Sequence, residues 1–476
     1  MAKRSKIKEP AKISYFFGES YSDLWHTIRT SWKKNIAKIK EAAIQLKKSW
    51  SKRNIYRSIC LTFLKVAILA SISVFGTLFT AIFSLIHIVL LFILMTAVYL
   101  GFVLLRGMDT IYLLLKGITT NCYNPGCERK FTLPIYICPS CQALHYRLVP
   151  SKYGIFKRTC NCGAKLPTTF FNGRQKLDSL CPHCQSPAIK GVHKSLLIPV
   201  VGGANSGKTC FINTAIDQIE KKAPTLGLKY QYQPVPGDAY EENIKRLNSG
   251  VFPQKTGDLS FKYYNFYLAT KETKVSNLIS VCDIAGEIFT NQDSMTKQQG
   301  YRFADGLIVV IDPLSIAEFN QELKKTLSDS DYASLNGSTQ LIGDVLSGLI
   351  NTMESLYHIK AKDTIKKTLA IVFSKCDIPT LKDKLGDAAI RQYMKNNSVD
   401  YCNASNALCE QFLLEYGESS FINTVKSKFS EIQYFTCSAT GSNSGAGKFD
   451  PIDVEKPLLW MIGKMNKSIV LPDIWK

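Results

Sequence analysis

From Val66 to Leu105 the chain runs 40 residues without one Lys, Arg, Asp or Glu. Soluble cores seldom hold so long an uncharged stretch, and a water-exposed segment does not tolerate it. As one helix it would measure about 60 Å, at 1.5 Å per residue, against about 30 Å for a bilayer core. Two spans therefore fit better than one, with a turn near residues 84–87. Ser84 to His87 is the most polar point of the middle. Arg53, Arg57 and Lys65 precede the run, and Arg106 and Lys116 follow it. Both flanks then prefer the same, cytoplasmic side.

The chain has 476 residues and a formal net charge of +21. The excess of basic residues is concentrated before the apolar run and in the cysteine-rich stretch after it. From about residue 195 onward the two signs nearly cancel. An apolar share of 46% excludes a mostly disordered chain. In the N-terminal arm, Leu24, Trp25, Ile28, Trp32, Ile36, Ile39, Ala43 and Leu46 recur at helical spacing among lysines. That pattern predicts an amphipathic helix on an anionic membrane surface.

Eight of the 15 cysteines lie between residues 122 and 184. They come as close pairs in turn-forming surroundings: Cys122 and Cys127, Cys138 and Cys141, Cys160 and Cys162, Cys181 and Cys184. Zinc takes four thiolates from two such pairs. Grouped consecutively, the pairs give one site from Cys122 to Cys141 and another from Cys160 to Cys184. His145 and His183 are the alternates for a nearby cysteine. Closed four-thiolate sites leave no position for water, so two structural Zn2+ are expected rather than catalytic ones.

The strand-like run Leu196–Val201 leads into Gly202-Gly203-Ala204-Asn205-Ser206-Gly207-Lys208-Thr209, then into a helix-forming segment from Cys210. This is the phosphate-binding pattern G-x-x-x-x-G-K-S/T. Its backbone amides surround phosphate oxygens, Lys208 serves the β- and γ-phosphates, and Thr209 serves Mg2+. Three further stations follow in the order a GTPase requires. Asp283-Ile284-Ala285-Gly286 ends a strand: Asp283 is a magnesium ligand, and the Gly286 amide meets the γ-phosphate. Ser374-Lys375-Cys376-Asp377 resembles N/T-K-x-D, whose Asp accepts two bonds from guanine that adenine cannot donate. Ser438-Ala439 resembles the loop that offers an amide to guanine O6. Thr256 is the candidate magnesium ligand before the next strand. Glu287 stands where Gln is frequent, and either activates the attacking water or slows attack by repelling the γ-phosphate. Ser374 also departs from the usual Asn or Thr. Arg246 and Arg302 are candidate arginine fingers.

The cysteine pairs, Cys160-Asn161-Cys162-Gly163 with Leu166-Pro167-Thr168, the phosphate loop and Asp283-Ile284-Ala285-Gly286-Glu287 together resemble the bacterial double-GTPase family, over roughly residues 120–465. This is a branch of the translation-factor-related GTPases, named for paired GTPase genes in one operon. The resemblance implies a multi-gene, defence-related system and makes Glu287 native to the pattern. The expected fold is α/β: a doubly wound, mainly parallel P-loop GTPase domain. The expected domains are a basic arm (1–58), a transmembrane hairpin (59–116), a double zinc ribbon (117–194) and the GTPase (195–476), with a helical insertion at about 314–366. The expected function is a switch that hydrolyses GTP with Mg2+ at the inner (cytoplasmic) membrane. It would be a multi-pass protein with its arm, ribbons and GTPase domain in the cytoplasm. Its expected partners are the lipid bilayer and a protein partner or second GTPase, with self-association open. Nucleic acid on the basic ribbons is the less favoured partner. The alternatives are a tethered nucleotide-binding scaffold with little hydrolysis and a nucleic-acid-binding ATPase.

Overall fold

The computed structural model describes residues 9–48, 55–122, 124, 127, 129–188, 193–235, 238–253, 261–270, 276–284, 304–441, 449–466 and 469. They form two compact units. One contains the described residues up to 115 and from 134 to 180, the other those from 116 to 133 and from 181 onward.

In the first unit, helix α1 (Glu19–Lys47) packs along a long apolar helix. The latter comprises α2 (Ile55–Ser71), a π-helical turn (Ile72–Gly76) and α3 (Thr77–Leu115). Together they make a helix of 61 residues, the one among the described residues long and apolar enough to cross a membrane. The expected two-span hairpin and its multi-pass topology are corrected here: residues 84–87 lie inside α3. The polar side chains there do not break the helix, because they bond back to its own carbonyls. Ser84 Oγ donates to Thr80 O at 2.7 Å, and His87 Nδ1 lies 2.9 Å from Phe83 O. Without Pro or Asn, nothing in this stretch stops helix propagation. Large side chains such as Phe63, Phe79, Phe83 and Phe92 are exposed.

The rest of this unit is a small β module. Ile135–Ile137 pairs antiparallel with Leu144–His145 on one side and Ser179–Leu180 on the other. A hairpin joins Lys157–Thr159 to Lys165–Pro167. Arg174, fully buried, donates to Asp109 Oδ2 at 2.8 Å, and the Phe170 amide takes the other oxygen of Asp109 at 2.7 Å. A charge near the end of α3 is thus paired and hydrogen-bonded, as a buried charge must be.

The second unit is built on a seven-stranded sheet. Its strands are β1 (His193–Val201), β2 (Leu228–Tyr232), β3 (Phe261–Thr270), β4 (Ser276–Ile284), β5 (Gly306–Ile311), β6 (Ile365–Phe373) and β7 (Phe429–Thr436). Their order across the sheet is β7-β6-β5-β1-β4-β3-β2. Neighbours from β7 to β4 are parallel, and β3 and β2 add antiparallel at one edge. Every residue of β5 is buried, as a central parallel strand covered on both faces requires. Alternate residues of β1 divide between two cores: Leu197 and Val201 on one face, Leu196, Ile198 and Val200 on the other. The second face is closed by helix α4 (Lys208–Lys222) through Phe211, Ile212, Ala215, Ile216 and Ile219. Between β5 and β6 lie three helices, Ala317–Thr326, Asp329–Ser334 and α5 (Ile342–Tyr357). Leu346, Leu349 and Met353 of α5 join the core on the first face.

Candidate nucleotide site and cysteine clusters

β1 and β5 are neighbours, yet the chain leaves β1 for α4 and reaches β5 only after β4 on the far side. The carboxyl ends of β1, β4, β5, β6 and β7 therefore open on a topological switch point, where open α/β sheets bind ligands. The phosphate loop follows β1 directly. Gly207, at φ 86°, makes the left-handed turn into α4 that a side chain would resist. Lys208 is buried, and its Nζ donates to Gly202 O at 2.9 Å and Gly203 O at 2.8 Å. Ser206 is buried in the loop, and Asn205 takes a positive φ of 59°.

Thr209 and Asp283 come together from α4 and β4: the threonine hydroxyl donates to Asp283 Oδ2 at 2.7 Å. A hydroxyl and a fully buried carboxylate are hard oxygen donors of the kind Mg2+ prefers. Burial pushes the Cys210 thiol up to about 12, and the Asp283 charge adds to the rise. This thiol is therefore neutral near pH 7 and is no nucleophile.

The motifs expected on the base side follow β6 and β7. Ser374 is buried, and its Oγ donates to Ser206 O at 2.9 Å, which ties this loop to the phosphate loop. Where Asn or Thr is usual, the serine still spans the gap. Asp377 Oδ1 accepts from Ser438 Oγ at 2.7 Å, so the two base-side motifs meet, with Ala439 next in the chain and partly buried. Lys375, between Ser374 and Asp377, has its ammonium on Asp312 Oδ2 at 2.7 Å. Arg246 lies near Glu242 Oε1 at 3.9 Å and donates to Phe252 O at 3.3 Å. Thr256, Gly286, Glu287 and Arg302 lie outside the described residues.

Sequence reasoning missed Asp312 and Gln340. Asp312 is almost fully buried at the end of β5; it receives Lys375, the Leu314 amide at 3.0 Å and the Ser338 amide at 2.8 Å. An Asp closing an apolar strand was the available signal. Gln340 Oε1 accepts from the Ala204 amide of the phosphate loop at 3.0 Å. No local pattern announces that contact.

The eight cysteines form two groups, but not the consecutive ones. Cys122, Cys127, Cys181 and Cys184 stand together in the second unit, and Cys138, Cys141, Cys160 and Cys162 in the first. The inner site is inserted in the loop of the outer one. Strand register is the reason. Ile135 pairs with Leu180 and Tyr136 with Ser179, antiparallel. Cys138 therefore lies past one end of this ladder. Cys181 leaves from the other, towards the residues that precede Ile135. The Sγ pairs approach to 3.3 and 3.8 Å in the outer group and to 3.7 and 3.6 Å in the inner one. Tetrahedral zinc with bonds of about 2.3 Å sets its sulfurs about 3.8 Å apart, so both groups could hold Zn2+.

Neither group includes a histidine. Burial, reinforced by the Arg158 charge, holds His145 down to about 4, so it is neutral at pH 7. In the outer group's unit, Lys130 pairs with Asp305 at 3.1 Å, and Asp305 also accepts from the Leu197 amide of β1 at 2.9 Å.

The regrouping has a direct test. Changing Cys181 and Cys184 together to Ser should lower zinc from about two to about one per chain. Native alkylation and mass spectrometry should then find Cys122 and Cys127 reactive, with Cys138, Cys141, Cys160 and Cys162 still protected. Reactive Cys160 and Cys162 would restore the consecutive grouping.

Residues 196–412 match the family model Double-GTPase 2. No curated protein matches the chain at a significant level. The match spans the phosphate loop, Asp283 and the Ser374–Asp377 motif. Across residues 196–412 the chain is therefore similar to the double-GTPase family.

Proposed function

We propose that this is a membrane-associated GTP-binding protein that hydrolyses GTP with Mg2+ and acts as a switch. The observation that carries the reading is the meeting of four separate motifs along one sheet edge. Lys208 and Thr209 follow β1, Asp283 ends β4, and Asp377 and Ser438 join the loops after β6 and β7. Chance matches to short motifs have no reason to converge.

The backbone of Gly202–Thr209 and the α4 N-terminus would hold the phosphates. Asp377, with the Ser438–Ala439 loop, would select guanine. Thr209 and Asp283 would hold Mg2+, with Thr256 joining them; the ion neutralises charge on the β- and γ-phosphates. Gly286 and Glu287 would face the γ-phosphate, with Glu287 at the attacking water. The eight cysteines would carry two structural Zn2+ that replace an apolar core too small to fold by itself. The helix Ile55–Leu115 would bring the protein to a lipid bilayer.

Because GTPase switches respond to what stabilises or releases their loops, we place a protein partner or second GTPase as the regulator, in keeping with paired genes of a defence-related system. Single-turnover phosphate release from GTP by the full chain in detergent tests the reading. Release should require magnesium and fall at least about tenfold when Glu287→Gln removes a water-activating carboxylate. No release with or without magnesium would leave only a nucleotide-binding scaffold.

A further inference from the structure

We propose that Gln340 is a positioning residue for the terminal phosphate of the bound nucleotide, and that through it the segment Leu335–Gln340 senses that phosphate. The proposal rests on the guanine-nucleotide reading above and adds a residue from outside its motifs.

The segment just before α5 touches both ends of the site. The carbonyls of Leu335 and Asn336 accept from Lys375 Nζ at 3.3 and 3.0 Å. The Ser338 amide donates to Asp312 Oδ2, the same oxygen that receives Lys375. Gln340 Oε1 then accepts from the Ala204 amide. The approach leaves no room for a side chain at Gly203 unless Ser338 shifts. A Cβ at Gly203 would lie 2.7 Å from Ser338 Oγ and 3.2 Å from Gln340 Oε1. A stretch of six residues thus clasps the phosphate loop and the base-side lysine at once.

Ala204 belongs to the terminal-phosphate end of the cradle. The lysine of this motif serves the β- and γ-phosphates, and Lys208 Nζ lies on the carbonyls of Gly202 and Gly203, immediately before Ala204. The Ala204 amide has one proton to give. An anionic phosphate oxygen is a stronger acceptor than a neutral carboxamide oxygen. A phosphate that takes this proton displaces Gln340 Oε1. The carboxamide carries two N–H donors at its other end, and turning it brings them to the same phosphate. Occupancy of the terminal phosphate position is then coupled to Leu335–Gln340, and through that segment to α5. The coupling needs only this exchange of bonds.

The test compares a non-hydrolysable GTP analogue with GDP, each titrated with magnesium into the full chain in detergent. Gln340→Glu places a carboxylate against the phosphate, and like charges so close are costly. It should weaken the analogue about 30-fold more than GDP. Gln340→Ala removes one hydrogen-bonding group and should weaken the analogue about threefold to tenfold more than GDP. A merely structural residue would change both affinities alike. Analogue-to-GDP ratios within about twofold of wild type in both variants, with wild type binding well, overturn this proposal alone. Wild-type protein that binds neither nucleotide overturns the underlying reading and this one with it. If thermal melting shows that the Glu variant is misfolded, the Ala variant decides.

Discussion

Asp377→Asn is expected to weaken GTP binding by about 10²–10⁴-fold and to leave ATP binding nearly unchanged. The carboxylate would accept from guanine N1 and N2, and hydrogen bonds to a charged group contribute about 1.5–3 kcal/mol each. Asn replaces one acceptor with a donor, so one guanine N–H meets another N–H. The same exchange favours xanthine, which carries an oxygen at the position of the guanine amino group. Xanthosine triphosphate should therefore bind the variant better than GTP does. Asp377 Oδ1 already accepts from Ser438 Oγ at 2.7 Å, and an Asn oxygen can keep that bond. The variant should thus fold normally, and a melting curve with fluorescence titration of the three nucleotides checks both points. Unchanged GTP affinity would mean that this side chain does not read the base.

Lys208→Ala should lower the rate of GTP hydrolysis by about 10²–10³-fold, the usual cost of removing a preorganised donor to developing negative charge. The ammonium is buried and held by the carbonyls of Gly202 and Gly203. Its removal therefore also takes a donor from two loop carbonyls, at about 1 kcal/mol each. Melting and phosphate release should be measured on the same preparation. A large rate loss with a small melting shift is the expected result. A rate within about threefold of wild type would remove Lys208 from the chemistry.

The candidate nucleotide motifs can be read locally because phosphate and guanine impose local rules. A loop that wraps phosphate needs its glycines and lysine within eight residues, and a base-reading carboxylate needs its place just after a strand. Leu196–Val201 and Leu369–Phe373 were readable as strands for a related reason: a parallel strand covered on both faces is apolar along its length.

What failed was non-local. An uncharged run fixes how much chain avoids water, but not where it turns; serine and threonine in it bond to their own helix and mark nothing. Cysteine spacing identifies pairs of metal ligands, but which pairs join depends on the ladder between Ile135–Ile137 and Ser179–Leu180, whose partners lie far apart in the chain. Gln340 stands 136 residues from the amide it accepts from, so no window of sequence contains both.

The most direct measurement is calorimetric titration of the full chain in detergent with GTP and with ATP, magnesium present. The guanine-site reading predicts saturable GTP binding at least about 100-fold tighter than ATP, since adenine leaves the Asp377 carboxylate without its partners. Equal affinities, or no heat with either nucleotide, would contradict it.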